Sequence, residues 1–598
     1  MKIGLEQFWN LLIDYLKPQK GRVAKFAIAL LASIGLQLLN PQILRNFIDT
    51  AVAGGSVQNL FSAAFLFIGV ALVMQLMSIV ATYYGENVAW TATNALRADL
   101  VEHCLKLDLS FHKVSTPGEL VERVDGDIQN LSKFFSKFSV YILGSLLLIL
   151  GVIVVMFAED WRAGITISFF ALTALSILIR LRSIAVPHWG SYRQVNGEFF
   201  GFLGEQLTGI EDIRANGAKT YVMHRFYKIL HRWLPTYHKA RFADTILWTT
   251  TNGIFTLGNV IALAVALYLW NQKAITIGTA YIFFYYTTLL SEPIEQIRTQ
   301  LEELQQAEAS IYRIQDLFQV QSQLSAGGKE RLPHGALSVT FENVSFSYSD
   351  VQGQASTSLR IKKQETKPEL ILQDISFHLP PNHVLGLLGR TGSGKSTLAR
   401  LLLRLYDAQS GTICLGNVPI NQTPLTDLPK HVGLVTQNVQ LFQTTVRNNL
   451  TFFNQNISDE RIYQTLEMLG LSAWLHSLPK DLDTELGPDS SGLSAGQAQL
   501  LAFARVFLKD PGLVILDEAS SRLDPTTEKL IEKAIDQLLI GRTGIIIAHR
   551  LATVQRANQI LILDKGRASE YGLREELIQN SNSRFAQLLK TGLTDLLV

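Results

Sequence analysis

Cysteine is nearly absent. The two in 598 residues, Cys104 and Cys414, have no CxxC or metal-spaced neighbour, which excludes a disulfide framework and a thiolate metal site. Charge is scarce too. Asp, Glu, Lys and Arg make up 17% of the chain, against about 25% in ordinary soluble proteins, so the composition points to a membrane protein. With 53 basic and 51 acidic residues the net charge is only +2, and no nucleic-acid partner is expected. Long apolar runs are missing from the second half of the chain, which therefore divides near its middle. The opening MKIGLEQFWNLLIDYLKPQKGR contains Glu6 and Asp14 and no small-residue cleavage site, so no signal peptide is expected.

What is present begins with six apolar stretches: Val23 to Leu39, Leu60 to Tyr83, Ser139 to Phe157, Ala163 to Ile179, Ile246 to Trp270 and Ile275 to Leu290. About twenty helical residues at 1.5 Å each cross roughly 30 Å of hydrocarbon, so six transmembrane helices are predicted. Ahead of them Phe8, Trp9, Leu11, Leu12, Tyr15 and Leu16 recur at helical spacing, as in an interfacial amphipathic helix. The long connections Arg97 to Lys137 and Arg180 to Arg241 hold most of the basic residues. They are assigned to the cytoplasm, with both termini. Their apolar periodicity, as in GELVERVDGDIQNLSKF, predicts helices extending well beyond the bilayer. Uncharged polar residues in the spans, including Gln75, Thr250, Asn252, Asn259, Tyr285 and Tyr286, either line a pathway or bond neighbouring helices. No acidic or basic residue falls clearly mid-span, which predicts no strongly charged site deep in the membrane and favours an apolar substrate.

After the sixth span EPIEQIRTQLEELQQAEASIYRIQDLF continues as a helix, and SQLSAGGKERLPHG breaks it. The expected division is a transmembrane domain over 1–320, a linker over 321–336 and a second domain over 337–598. In that domain β-branched strands alternate with helical segments, the pattern of a parallel α/β sheet. A polar run after Tyr348, with Lys362, Lys363 and Lys367, reads as a solvated insertion.

The strongest chemical signal is HVLGLLGRTGSGKSTLARLLLRL, an apolar strand leading through Gly389, Arg390, Thr391, Gly392, Ser393, Gly394, Lys395, Ser396 and Thr397 into a helix. This is a P-loop in its strand-to-helix setting. Its backbone N–H groups and helix N-terminus face phosphates, Lys395 reaches the terminal phosphates and Ser396 ligates Mg2+. Downstream, LVILDE ends a buried strand in Asp517, a magnesium partner, and Glu518, a carboxylate placed to orient attacking water. His549 ends another apolar strand in IIIAHR.

The segment LSAGQAQLLAFARVFLKDPGLVILDEASSRLD resembles the signature motif, Walker B strand and D-loop of ATP-binding cassette proteins. With six spans ahead of it, the whole chain resembles a half-size ABC transporter of the exporter type. That likeness implies ATP and Mg2+ as ligands. It also implies adenine stacking on Tyr348, magnesium contact and membrane-domain sensing by Gln437, catalysis by Glu518, and a switch role for His549. Ser494, Ala495, Gly496 and Gln497 would meet the γ-phosphate of ATP bound to a partner chain, so the half-transporter is expected to dimerise. FHKVSTPGELVERVDGDI and GEQLTGIEDIRANGAKTY resemble the cytoplasmic coupling regions. Ala495 replaces the usual glycine, Ala498 a common arginine and Arg522 a usual alanine. The methyl of Ala495 is tolerated only at negative φ. Homodimer and heterodimer both stay open. The implied function is ATP-driven export of a lipid-like, amphipathic, peptide or drug-like molecule across a bacterial inner membrane. The alternatives are an importer on the same fold or an ATP-gated sensor or scaffold.

Overall fold

The structure, a computed structural model, describes residues 13–325, 327–348, 370–437, 439–487, 493–517, 525–548 and 551–591. The chain forms two compact units. The first comprises Met1–Cys104 with Gly118–Phe318, the second Leu105–Pro117 with Gln319–Val598. Phe8, Trp9, Leu11, Leu12 and the lysines at 362, 363 and 367 lie outside the described residues.

The first unit is helical: α1 (Lys20–Val52), α2 (Val57–Lys106), α3 (Gly144–Glu159), α4 (Trp161–Thr208), α5 (Lys219–Asn271), α6 (Ile277–Leu289) and α7 (Ser291–Gln319). Among the described residues five helices are long and apolar enough to cross a membrane, ending with α5. The sixth predicted crossing differs from expectation. It folds as the thirteen-residue α6, interrupted at Leu290 before α7. The cause is local: Pro293 has no N–H to give to the Leu289 carbonyl, so one rung of the helix ladder cannot form. The ladder holds on either side, where Leu290 N–H donates to Tyr286 O (3.1 Å) and Ile294 N–H to Leu290 O (3.2 Å).

The helices α2, α4 and α5 run 50, 48 and 53 residues, about 75 Å at 1.5 Å per residue, so each continues far past a bilayer. Beyond the spans α4 and α5 are joined by aromatics. Tyr192 packs edge-on against Trp233 at 5.6 Å, Trp233 stacks on Tyr237 at 5.4 Å, and Trp233 Nε1 donates to Asn196 (3.0 Å). Short connections are held by caps. Asp160 caps α4 by accepting from Arg162 N–H (2.8 Å), and Asp49 accepts from Thr276 Oγ1 (2.7 Å) and Gly278 N–H (2.8 Å) at the start of α6.

The second unit holds two sheets. An antiparallel sheet has the order β2 (Leu372–Leu379), β1 (Val339–Phe346), β4 (Ser410–Leu415), β5 (Val418–Pro419). The other, of six strands, has the order β10 (Arg567–Leu573), β9 (Gln559–Asp564), β3 (Val384–Gly389), β8 (Thr543–Ile547), β7 (Leu513–Asp517), β6 (Val432–Val435). All its pairs except β10 with β9 are parallel. Strands β3 and β8 are buried throughout, as expected where both faces of a parallel sheet are covered. The segment Leu105–Pro117 belongs to this unit. Its short helix Leu109–Val114 is capped by Asp108, whose Oδ1 accepts from Ser110 and Phe111 N–H while Oδ2 accepts from Gln323 N–H at 2.6 Å. The fully buried Arg404 fixes the neighbouring linker by donating to the Ser325 and Thr423 carbonyls, each at 3.0 Å.

Candidate functional site

Strand β3 runs through the P-loop into α8 (Lys395–Leu402). Gly389, Gly392 and Gly394 have φ of +149°, +83° and +106°, values that only glycine adopts without strain. Two of them are also crowded: a Cβ on Gly389 would lie 2.4 Å from the Leu563 carbonyl, and one on Gly394 2.6 Å from Leu372 Cδ2. The loop wraps around Lys395. This lysine is 6% exposed and donates through Nζ to the carbonyls of Gly389 (2.6 Å) and Arg390 (3.0 Å). Ser393 Oγ is buried without a hydrogen-bond partner. An orphaned hydroxyl and a buried ammonium in one glycine-rich loop fit a phosphate chain.

The parallel register brings the remaining groups to the same sheet edge. Leu387 of β3 pairs with Ile547 of β8, which pairs with Asp517 of β7, so Asp517 stands at the carboxyl end of its strand, where α/β sheets bind ligands. Gln437 follows the end of β6 and is exposed. Ser396, Gln437 and Asp517 all offer oxygen, the donor set that suits Mg2+. Glu518, Arg522 and His549 lie outside the described residues, Glu518 next after Asp517 and His549 next after Ala548.

Ser494 caps α9 (Ala495–Lys509) in a capping box. Its Oγ accepts from Gln497 N–H (3.1 Å) while Gln497 Oε1 accepts from Ser494 N–H (2.9 Å). Ala495 is the first helical residue, exposed and not among the positive-φ positions, so its methyl causes no strain. Gly496 is the glycine that geometry demands here, since a Cβ would lie 2.2 Å from Thr527 Cγ2 on α10 (Pro525–Leu539). Ala498 is buried, where an arginine would need a partner. The same helix grips both sides of the Gln437 loop: Gln499 Nε2 donates to Thr436 O (3.3 Å) and Arg505 Nη1 to Gln440 O (2.9 Å). Burial lowers the Arg505 and Lys509 pKa values from their usual range.

Residues 23–294 match the ABC transporter transmembrane region and residues 372–521 match the ABC transporter family, fused in one chain. The chain belongs to the ABC transporters. As such it is an ATP hydrolase coupled to transport, and the arrangement of its two family regions is that of an exporter half. A lipid A-core flippase of Colwellia psychrerythraea is 28% identical, with 97% of this chain and 96% of the relative covered. A putative multidrug export ATP-binding/permease protein of Bacillus subtilis is 29% identical over 95% and 96%. A solved bacterial Atm1-family ABC exporter with ATP bound shares the fold, with a TM-score of 0.78, 23% identity and coverage of 96% and 98%.

Within this ABC transporter Tyr348 follows β1, and its hydroxyl lies 3.0 Å from Thr397 Oγ1 and accepts from Arg400 Nη1 (3.2 Å). The rings of Phe346 and Tyr406 meet it nearly perpendicular at 4.9 and 5.2 Å. Burial raises the Tyr406 pKa, which keeps that phenol neutral. Lys113, from the short helix Leu109–Val114, places its ammonium 4.0 Å from the Tyr348 ring centroid. Sequence reasoning missed Lys113, Arg400, Gln499 and Arg505 as neighbours of the site. Only Lys113 had a signal, its place in the FHKVS segment likened to a coupling region.

Proposed function

We propose that this chain is one half of a dimeric exporter in a bacterial inner membrane, with both termini and the nucleotide domain cytoplasmic, moving a lipid-like or amphipathic molecule. The observation that carries the ATP chemistry is the P-loop folded around buried Lys395, with Asp517 at the same edge of the parallel sheet. ATP phosphates replace the Gly389 and Arg390 carbonyls as partners of the ammonium, and Ser393 Oγ gains a partner. Ser396, Gln437 and Asp517 would hold Mg2+, which would supply charge neutralisation for the phosphate chain. Glu518 orients the attacking water and His549 reports on the γ-phosphate.

The other half of each site comes from the partner chain. Ser494 Oγ uses a lone pair to cap α9, so its O–H stays available to donate to a γ-phosphate across the dimer. Gly496 N–H and the helix N-terminus add positive potential there. Nucleotide thus joins two nucleotide domains, and hydrolysis releases them, biasing the membrane helices between inward and outward access. The amphipathic substrate class is supported by relatives described as a lipid A-core flippase and a multidrug export protein.

The deciding experiment measures Mg2+-dependent ATPase activity of the full chain in lipid beside Glu518→Gln, with the particle mass recorded. Activity in a two-chain particle, lost in the variant, is expected and makes the chain a competent homodimer. Folded protein that binds ATP without turnover overturns the homodimer and points to a related partner chain. Flux in inverted vesicles tests the direction.

A further inference from the structure

A cavity of about 880 Å³ opens between α5 and the α6–α7 pair. Its depth in the membrane follows from helix arithmetic. Thr288 is eleven residues below the outer end of α6 and Asn259 twelve below that of α5, roughly 17 Å in each case at 1.5 Å per residue. The two are hydrogen-bonded at 3.2 Å, so both counts place this end of the cavity near the membrane centre. From there the lining descends past Asn252, Trp248 and Glu292 to Glu295, Arg298 and Arg241. The predicted sixth span of sixteen residues covers only about 24 Å, which leaves the first turn of α7 within roughly 30 Å of hydrocarbon. Glu292 therefore stands at inner-leaflet depth. The sequence expectation concerned residues clearly mid-span; Glu292 lies past the predicted sixth span, in the first turn of α7.

The charges in the cavity are not balanced. Arg241 is paired with Asp244 at 3.3 Å, and Arg298 with Glu295 one turn away, its Nε at 2.9 Å from Oε2. Glu292 accepts only a neutral amide, Gln296 Nε2 at 3.0 Å, and has no ion pair among the described residues. At the start of α7 Pro293 has no N–H and that of Ile294 is taken by Leu290 O (3.2 Å), so little helix-start positive potential is left there for a carboxylate. An acidic side chain facing a cavity at this depth is retained at a cost, and an opposite charge from a ligand offsets it. Trp248 lines the same cavity and is 69% exposed, offering a π face to a cation.

We propose that this cavity binds the cationic group of an amphipathic substrate, with Glu292 as counter-ion, Trp248 as the aromatic contact, and Leu247 and Phe255 as the wall for its apolar part. The inference rests on the exporter reading and names the substrate class. Paired Arg241 and Arg298 offer an anion no uncompensated positive charge, so selection runs by sign.

The test uses the full chain in nanodiscs without nucleotide and two probes of matched shape and opposite charge, tetraphenylphosphonium and tetraphenylborate, corrected for binding to empty nanodiscs. The expected result is at least tenfold tighter binding of the phosphonium, a loss of about tenfold in Glu292→Gln, and a reversed preference in Glu292→Lys, each variant first shown to elute as a monodisperse particle. Equal binding of both probes, preference for the borate, or a Glu292→Gln variant that binds as wild type overturns the proposal. Sign-selective binding without ATP-dependent phosphonium flux in inverted vesicles upholds the site and overturns the export reading. Flux of neutral amphiphiles without sign-selective binding does the reverse.

Discussion

Lys113 and Tyr348 show how one contact bears on nucleotide affinity. An ammonium 4.0 Å over the phenol ring is a cation–π contact of about 0.5–1 kcal/mol at a partly exposed site. The proposed nucleotide site has adenine stacking on Tyr348, whose ring already meets those of Phe346 and Tyr406 nearly at right angles. On that proposal adenine gains the face by displacing Lys113. Lys113→Ala should tighten equilibrium ATP binding by about two- to fivefold, a range that follows from the same contact energy, whereas Lys113→Arg should stay near wild type. A fluorescent ATP analogue titrated into Glu518→Gln protein, chosen to slow turnover, reads this directly. Weaker binding in Lys113→Ala would show instead that the lysine supports the nucleotide. The P-loop residues were legible in sequence because their chemistry is covalently local: glycine spacing, one lysine and a strand-to-helix boundary. Lys113 over Tyr348 was not, since the two lie far apart in the chain and only folding joins them.

At the scale of elements, a buried ion pair ties the connection between α2 and α3 to α7. Asp127 is 1% exposed and accepts from Ser310 Oγ (2.8 Å) and Arg313 Nε (2.8 Å), with a second, closer contact from Arg313 Nη2. The carboxylate holds the Arg313 pKa above its usual range. Nearby, Arg123 donates to Glu119 (2.7 Å) and to the Arg313 carbonyl (3.3 Å). Removing one member of such a pair costs about 3–5 kcal/mol, and the partial exposure of Arg313 places this case at the lower end. Asp127→Asn should lower the midpoint of thermal aggregation by several degrees, and Arg313→Gln added to it should cost little more, because the charge left behind is then removed. Additive losses would mean that the two side chains act separately. The sequence showed the periodicity of GELVERVDGDIQNLSKF but not this partner, which α7 supplies from beyond the sixth crossing. It also held the Pro293 that ends α6, yet the run EPIEQIR still carries helical spacing, so the break at Leu290 was legible only as a missing N–H. The capping box at Ser494 and Gln497 was written in the spacing as well, and it explains why Ala495 sits in helical φ rather than in the left-handed region.

For the whole molecule the question is whether an ATP site is completed within one chain or across two. Lys395 and Asp517 are bound to the sheet edge, while Ser494 starts a helix that the same chain uses to hold the Gln437 loop. If sites are composite, a Lys395→Ala chain still offers a sound signature helix, and a chain with Ser494→Arg still offers a sound P-loop. Neither variant alone has an intact site, because each homodimer repeats its own defect at both sites. Mixed dimers differ: one site joins the two defects and the other joins the two sound halves. With equal co-expression half the dimers are mixed and each has one sound site, so up to about a quarter of wild-type ATPase activity should return. Tandem affinity purification on differently tagged chains isolates the mixed species and should raise that share to about half, provided one site turns over by itself. Mixed dimers as inactive as the two parents would mean either that both halves of a site lie in one chain or that two sound sites must fire together. Nucleotide occlusion in the same mixed dimers separates these, since trapped ATP at one site per dimer occurs only if the site is shared between chains.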